Sequence, residues 1–209
     1  MLRYGFKARL YGWAFTRMVS DYCGERHPEL DFDSHRKEMR ERYRAMLTRT
    51  PDIGGNSNEA NLIMACFILS VPDIYPGMSP DLLDEIMQGC MNSRFIRRLF
   101  SGERRSGRMF SDRVQDRKVR ESEASHSSEY DFDWEYDYVK GDGEFWCRYT
   151  RCGICRLAEK EGKTEYLKVL CNTDYPRFEA SGAMLERTGT LASGDGCCDF
   201  HVVRVDQKD

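Results

Sequence analysis

No stretch of this chain approaches the run of about 18 apolar residues that a bilayer-spanning helix needs, so no membrane span is expected. The first residues lack the apolar core of a secretory signal, because Arg3, Lys7 and Arg9 interrupt it. A cytoplasmic protein is the expectation. Strong charge of one sign is also missing: 32 Lys and Arg against 35 Asp and Glu leave a formal net charge of −3. That is no electrostatic footprint for nucleic acid, so neither nucleic acid nor membrane is an expected partner. Histidine is scarce, with four in the chain. His27, His35 and His126 lie in polar surroundings and read as solvated, which argues against a Cys–His nucleophile pair. No internal repeat is visible.

What is present is charge and thiol. Of 209 residues 40% are apolar and 32% charged, enough for a core under a heavily ionic surface. Nine cysteines, an odd number, fit a reducing compartment better than a disulfide scaffold. Cys23, Cys66 and Cys90 fall among helical apolar residues and read as small core hydrophobes.

The first hundred residues read as helical. Phe6, Leu10, Trp13 and Ala14, with Met18, recur at helix spacing as one apolar stripe. Asp33 and Ser34 are candidate caps for a second helix carrying Met39, Tyr43, Met46 and Leu47. Pro51-Asp52-Ile53-Gly54-Gly55-Asn56 is a break. The helix predicted over 59–70 is apolar nearly all round and should be central. Ser79-Pro80 restarts the chain as cap plus first-turn proline. From 101 to 130 arginine, lysine, glutamate and serine crowd together and apolar residues nearly vanish, which predicts a solvated helix end and a charged linker. Beyond it the period becomes two. Trp134, Tyr136 and Tyr138, then Phe145, Cys147 and Tyr149, predict a hairpin. Helices are expected over 152–160 and near 166–171, and strands over 184–191 and 198–205. The predicted fold is α+β: an N-terminal helical half over 1–100, then an α+β region over 131–209 with a small antiparallel sheet and helices packed on one side.

That last region carries the candidate site. Cys152-Gly153-Ile154-Cys155, Cys171-Asn172-Thr173-Asp174 and Gly196-Cys197-Cys198-Asp199, with Arg187 between them, gather thiols, carboxylates and a guanidinium that packing alone does not require. Zinc would need a second knuckle, and adjacent Cys197 and Cys198 point to opposite faces of a strand. His201 would face away from Cys198. A redox pair at Cys152 and Cys155 lacks its βαβ setting. No metal or cofactor is expected. A hydrolytic site remains. Cys155 near a helix N-terminus, or Cys171, could serve as nucleophile. Asp174, in a predicted loop, or Asp199 could move a proton. Arg187 could hold a substrate carboxylate, or else pair with Asp174 or Asp199. Cys152 and Cys198 would line the same cavity.

Taken together, Cys152 to Leu157, Leu170 to Tyr175, Glu186 to Gly194 and Cys198-Asp199-Phe200 resemble the L-2-amino-thiazoline-4-carboxylic acid hydrolase family. Pro51 to Asn56 resembles that family's helical half. The charged 101–130 segment and Cys197 depart from the pattern. The resemblance implies a hydrolase that opens a thiazoline ring. Water adds at the carbon between sulfur and nitrogen, and the ring sulfur leaves, giving a carbamoyl-cysteine on the route to L-cysteine. The alternative is a small-molecule sensor domain of the 4-vinyl-reductase type, which the closing Cys197-Cys198-Asp199-Phe200 strand also resembles. A small-molecule substrate is the expected partner, and the helices around Phe67 and Phe100 leave room for a homodimer.

Overall fold

A computed structural model describes residues 1–205; positions 206–209 of the expected 131–209 region lie outside the described residues. The chain divides into two compact units, each assembled from two separate segments: 1–90 with 154–170, and 91–153 with the chain from 171 onward. The architecture is the expected α+β one, a helical N-terminal half followed by an antiparallel sheet.

The first unit is helical. It contains α1 (Phe6–Arg26), α2 (Arg36–Arg49), α3 (Glu59–Ser70), most of α4 (Pro80–Met91), α7 (Gly153–Glu161) from its second residue, and most of α8 (Leu167–Asn172). Helix α3 is central, as its all-round apolar sequence demands, with Leu62, Ile63 and Ala65 to Leu69 buried. Met39, Tyr43, Met46 and Leu47 of α2 pack there with no exposed surface. The Pro51–Asn56 break is an Asx-type turn. The Asp52 carboxylate accepts from the Gly54 amide at 3.1 Å, and Gly54 and Gly55 take positive φ, where a side chain would be strained. Asn58, expected as the cap of α3, makes no side-chain cap bond; instead its own amide donates to Asn56 Oδ1 at 2.9 Å. Ser79 caps α4 as expected, accepting from Leu82 N at 3.2 Å.

Helix α1 reverses the expected orientation. Phe6, Leu10 and Trp13 are 83%, 50% and 54% exposed, while Ala8, Gly12, Thr16, Val19, Ser20 and Cys23 are buried. The cause is close approach: a Cβ on Gly12 would sit 2.6 Å from the Tyr43 ring, so only small residues fit that face. The Tyr43 hydroxyl donates to Ala8 O at 3.0 Å and fixes the contact. Phe67, expected to border a dimer face, is fully buried. From α7, Leu157 and Ala158 enter the core, and Arg49 Nε donates to Glu161 at 3.0 Å.

The second unit carries the sheet: β1 (Glu135–Lys140), β2 (Glu144–Arg151), β3 (Ala183–Glu186) and β4 (Cys198–Arg204), in the order β1-β2-β4-β3 and antiparallel throughout. Tyr136, Tyr149 and Cys198 lie in one cross-strand row, Tyr138, Cys147 and Phe200 in the next, and Phe145, Val202 and Leu185 in a third. These rows face the packed side. Helix α6 (Asp112–Ser125) lies against β1, and α9 (Asp174–Ala180) against β3. The other face presents Trp146, Arg148, Asp199, His201, Glu186 and Met184.

Residues 101–130, expected as a linker, are ordered. Helix α5 (Arg94–Ser106) is capped by Ser93 and ended by Gly107 at φ 56°, and α6 follows after one 3-10 turn. Helix α6 docks with polar groups in place of an apolar stripe. Gln115 Nε2 donates to Gly141 O at 2.8 Å and Phe110 O at 2.9 Å, and Ser125 Oγ accepts from Tyr136 N at 3.1 Å. Buried polar atoms with partners cost little, which is why the helix is stable without leucines. Strand β3 stops at Glu186, short of the expected Leu191, because residues 188–195 turn around two aspartates.

Candidate functional site

Arg187 stands at the centre of the second unit's polar cluster. It follows β3 directly, and its side chain is 5% exposed. Its Nη1 donates to Asp174 Oδ2 at 3.2 Å and its Nη2 to Cys171 O at 3.2 Å. The guanidinium lies over two rings, 5.0 Å from the Tyr175 centroid and 5.1 Å from that of Phe200. Aromatic faces nearby and two acceptors for its N–H groups suit a guanidinium. Of the two expectations for Arg187, the geometry gives the ion pair with Asp174.

Asp174 opens α9 and does not lie in a loop. Pro176, which suggested a break, sits in the first helical turn, where its missing N–H leaves no bond unmade. The Asp174 side chain is 22% exposed. Desolvation pushes its pKa above the ordinary carboxylate value; the nearby charge of Arg177, then the charge and hydrogen bond of Arg187, oppose that without cancelling it.

Three thiols surround the pair. Cys171 ends α8, Cys198 opens β4 on the packed face, and Cys152 lies between β2 and α7. Cys152 is fixed by Gly153, where a Cβ would meet Phe132 O at 2.1 Å. Burial pushes the Cys171 thiol up to about 12, with the Asp174 charge adding and Arg187 opposing. Burial likewise raises Cys198 to about 11, although the Leu191 amide donates to its sulfur at 3.2 Å. Both thiols feel Cys152, Asp174 and Arg187, which places the five side chains in one electrostatic neighbourhood. At neutral pH a thiol of pKa about 12 is a thiolate about once in 10⁵ molecules. Burial thus favours the neutral thiol at Cys171.

Asp199 is not part of this group. It occupies the opposite face of β4 and accepts from Thr188 N at 3.1 Å, Gly189 N at 2.6 Å and the Thr188 hydroxyl. Desolvation works against its charge, but those donors outweigh it and hold its pKa below the usual range. Asp195 does the same work next to it, accepting from Thr190 N at 2.8 Å. The pair shapes the Arg187–Gly194 loop and so presents Arg187. Cys155 lies in the first unit, on α7. His201 faces away from Cys198, as strand alternation requires, and bridges Glu186 at 2.8 Å and Glu144 at 2.9 Å. Among the described residues the cysteines form no disulfide.

Three contributors were not anticipated. Tyr149 sits in the row of Cys198, stacks on Tyr136 at 5.0 Å, and burial drives its hydroxyl's pKa well up, with the Asp174 charge adding. Strand alternation already put it on the face of Cys147; only the antiparallel pairing with β4 brings it to Cys198. The sequence hides Tyr175 and Arg177, because Pro176 predicts a loop where the structure has α9. Among the described residues no three His, Cys, Asp or Glu are arranged to hold a metal ion, and no helix is long and apolar enough to cross a membrane.

Comparison with curated proteins and with solved structures gives no match. Residues 78–202, which contain every residue of the cluster, match the family model of L-2-amino-thiazoline-4-carboxylic acid hydrolase. The chain belongs to the L-2-amino-thiazoline-4-carboxylic acid hydrolase family.

Proposed function

We propose that the protein is a hydrolase that opens a small cyclic, carboxylate-bearing amidine of the 2-amino-thiazoline-4-carboxylate type, with Asp174 as the proton-transferring group. The observation that carries this reading is Asp174: its carboxylate is desolvated, raised in pKa and paired with a buried arginine, while its side chain stays partly exposed. A base whose pKa is lifted toward the working pH is better matched to proton transfer.

In this mechanism the ionised Asp174 takes a proton from water. The oxygen attacks the amidine carbon between sulfur and nitrogen. The ring C–S bond then breaks with its electron pair on sulfur, Asp174 returns its proton there, and the proton of the added hydroxyl passes to the ring nitrogen, turning the isourea into the urea. The product is an N-carbamoyl amino acid with a free thiol. In this reading Arg187 is a positioning residue: its side chain is 5% exposed and its terminal nitrogens donate to Asp174 Oδ2 and Cys171 O, so it orients Asp174. The substrate carboxylate falls to Arg177, whose charge already acts on Asp174. Cys171 and Cys198, neutral at pH 7, and Tyr149 form a low-polarity wall that strengthens the charge interactions.

The test is direct. Incubated with 2-amino-thiazoline-4-carboxylate, the protein releases free thiol catalytically, and Arg177→Gln raises KM more than it lowers kcat. Saturable binding of the ring compound with no thiol release would instead establish the sensor alternative.

A further inference from the structure

The outward face of α1 is built backwards for a helix of a self-sufficient domain. Its bulky residues Phe6, Leu10 and Trp13 are 83%, 50% and 54% exposed, and Met1 just before the helix is 66% exposed. Its small residues face the core, where Gly12 abuts Tyr43. Burying the large side chains inward was not an option this packing left open, yet nothing in the packing requires them to be large on the outer side. An exposed aromatic at full length needs a reason when the residues beneath it are glycine and alanine.

The charge around the stripe says what covers it. At 100° per residue Lys7 and Arg9 fall on the two flanks of the Phe6–Leu10–Trp13 line, and Arg17 continues it by one turn. Arg3 precedes the helix. From residue 1 to 20 there is no acidic side chain; the first is Asp21, which pairs with Arg17 at 3.4 Å. This cationic block belongs to a chain of net charge −3, so positive charge is concentrated where the apolar surface is. A second copy docked by its own α1 would bring these cations against one another, since a two-fold interface repeats the same patch on both sides.

We propose that α1 is an interfacial helix that seats the protein on an anionic phospholipid surface, with Phe6, Leu10 and Trp13 inserted at the headgroup boundary and Lys7, Arg9 and Arg17 against lipid phosphates. Aromatic and leucine side chains on one line, with basic residues bordering it, are the composition of helices that lie in a membrane interface without crossing it. Trp13 suits the headgroup level, where an amphipathic ring is favoured. The inference is independent of the proposed hydrolase activity.

The experiment is vesicle co-sedimentation of the full chain with phosphatidylcholine alone and with phosphatidylcholine mixed with phosphatidylserine. The expected result is binding to the anionic vesicles, little to the neutral ones, and release as ionic strength rises. Phe6→Ser with Trp13→Ser lowers the partition coefficient more than about tenfold, as removal of two large apolar anchors requires. Because both side chains already face solvent, these variants keep the wild-type circular dichroism and melting temperature. Met184→Ser, an exposed apolar residue on the open face of the sheet, leaves binding unchanged. Equal binding to both vesicle types, no binding to either, or full binding by the double variant overturns the proposal. So does a concentration-dependent dimer that the double variant abolishes while vesicles remain unbound, for then a second copy covers the stripe.

Discussion

Arg187 shows how one residue can organise a site. It satisfies a carboxylate, a backbone carbonyl and two aromatic faces at once, and almost none of it meets solvent. Removing such a cation leaves Asp174 desolvated and unpaired. Arg187→Gln is expected to cost about 3 kcal/mol of unfolding free energy, read by urea melts at pH 7, because the orphaned carboxylate carries most of the penalty. His201 offers a second, simpler case on the open face. Its hydrogen bonds to Glu144 and then Glu186 raise its pKa above the ordinary histidine value. A folded-state pKa above the unfolded one means that the charged ring stabilises the fold below about pH 6.5, and that this stabilisation is lost as pH rises through the higher value. The ring is partly solvent-exposed, so the effect is small, about 1 kcal/mol or less. Wild type and His201→Gln should differ in melting temperature near pH 5.5 and converge above pH 8; a constant offset across that range would contradict the ion-pair account. The residue types of the site were legible in the sequence, since buried thiol, acid and guanidinium seldom serve packing alone. Their division was not. Asp174 and Asp199 are the same residue type in similar company, and only the structure, which puts Asp174 at the start of α9 and Asp199 on the open face of β4, sends one to Arg187 and the other to the Thr188 amide.

At the scale of elements, packing geometry overrode pattern in three places. In α1 the period of the apolar stripe was correct and its direction was not, because periodicity says which residues share a face and not which way that face points. The direction follows from Gly12, which alone permits the Tyr43 ring to lie so close. Gly12→Val is therefore expected to destabilise, by about 1–3 kcal/mol, even though replacing glycine inside a helix usually helps. A thermal melt checks the sign: an unchanged or higher melting temperature would mean that α1 does not pack as described. Helix α6 was hidden for the opposite reason. It docks through Gln115 and Ser125, and hydropathy does not register a helix anchored by polar groups. Helix α9 was hidden by Pro176, which breaks a helix in its interior but is tolerated in its first turn. The hairpin of β1 and β2 and the all-apolar α3 were plain, because alternation and uniform hydrophobicity leave few other solutions.

The whole molecule is two units threaded by one chain that leaves the first after residue 90, returns at 154 and leaves again after 170. No composition shift in the sequence marks the return at α7. The threading matters for the site, since Cys152 lies one residue before the chain leaves the second unit and Cys171 is where it re-enters. The account rests on Asp174 acting there as the group that moves the proton. Its central measurement is the rate of thiol release from 2-amino-thiazoline-4-carboxylate by wild type and by Asp174→Asn across pH. The wild type should lose activity on the acid side at a pH above the ordinary carboxylate range, and Asp174→Asn should lose about 10²-fold or more in kcat while keeping a folded circular dichroism spectrum. A folded Asp174→Asn protein that turns over at the wild-type rate, with the same acid limb, would contradict it.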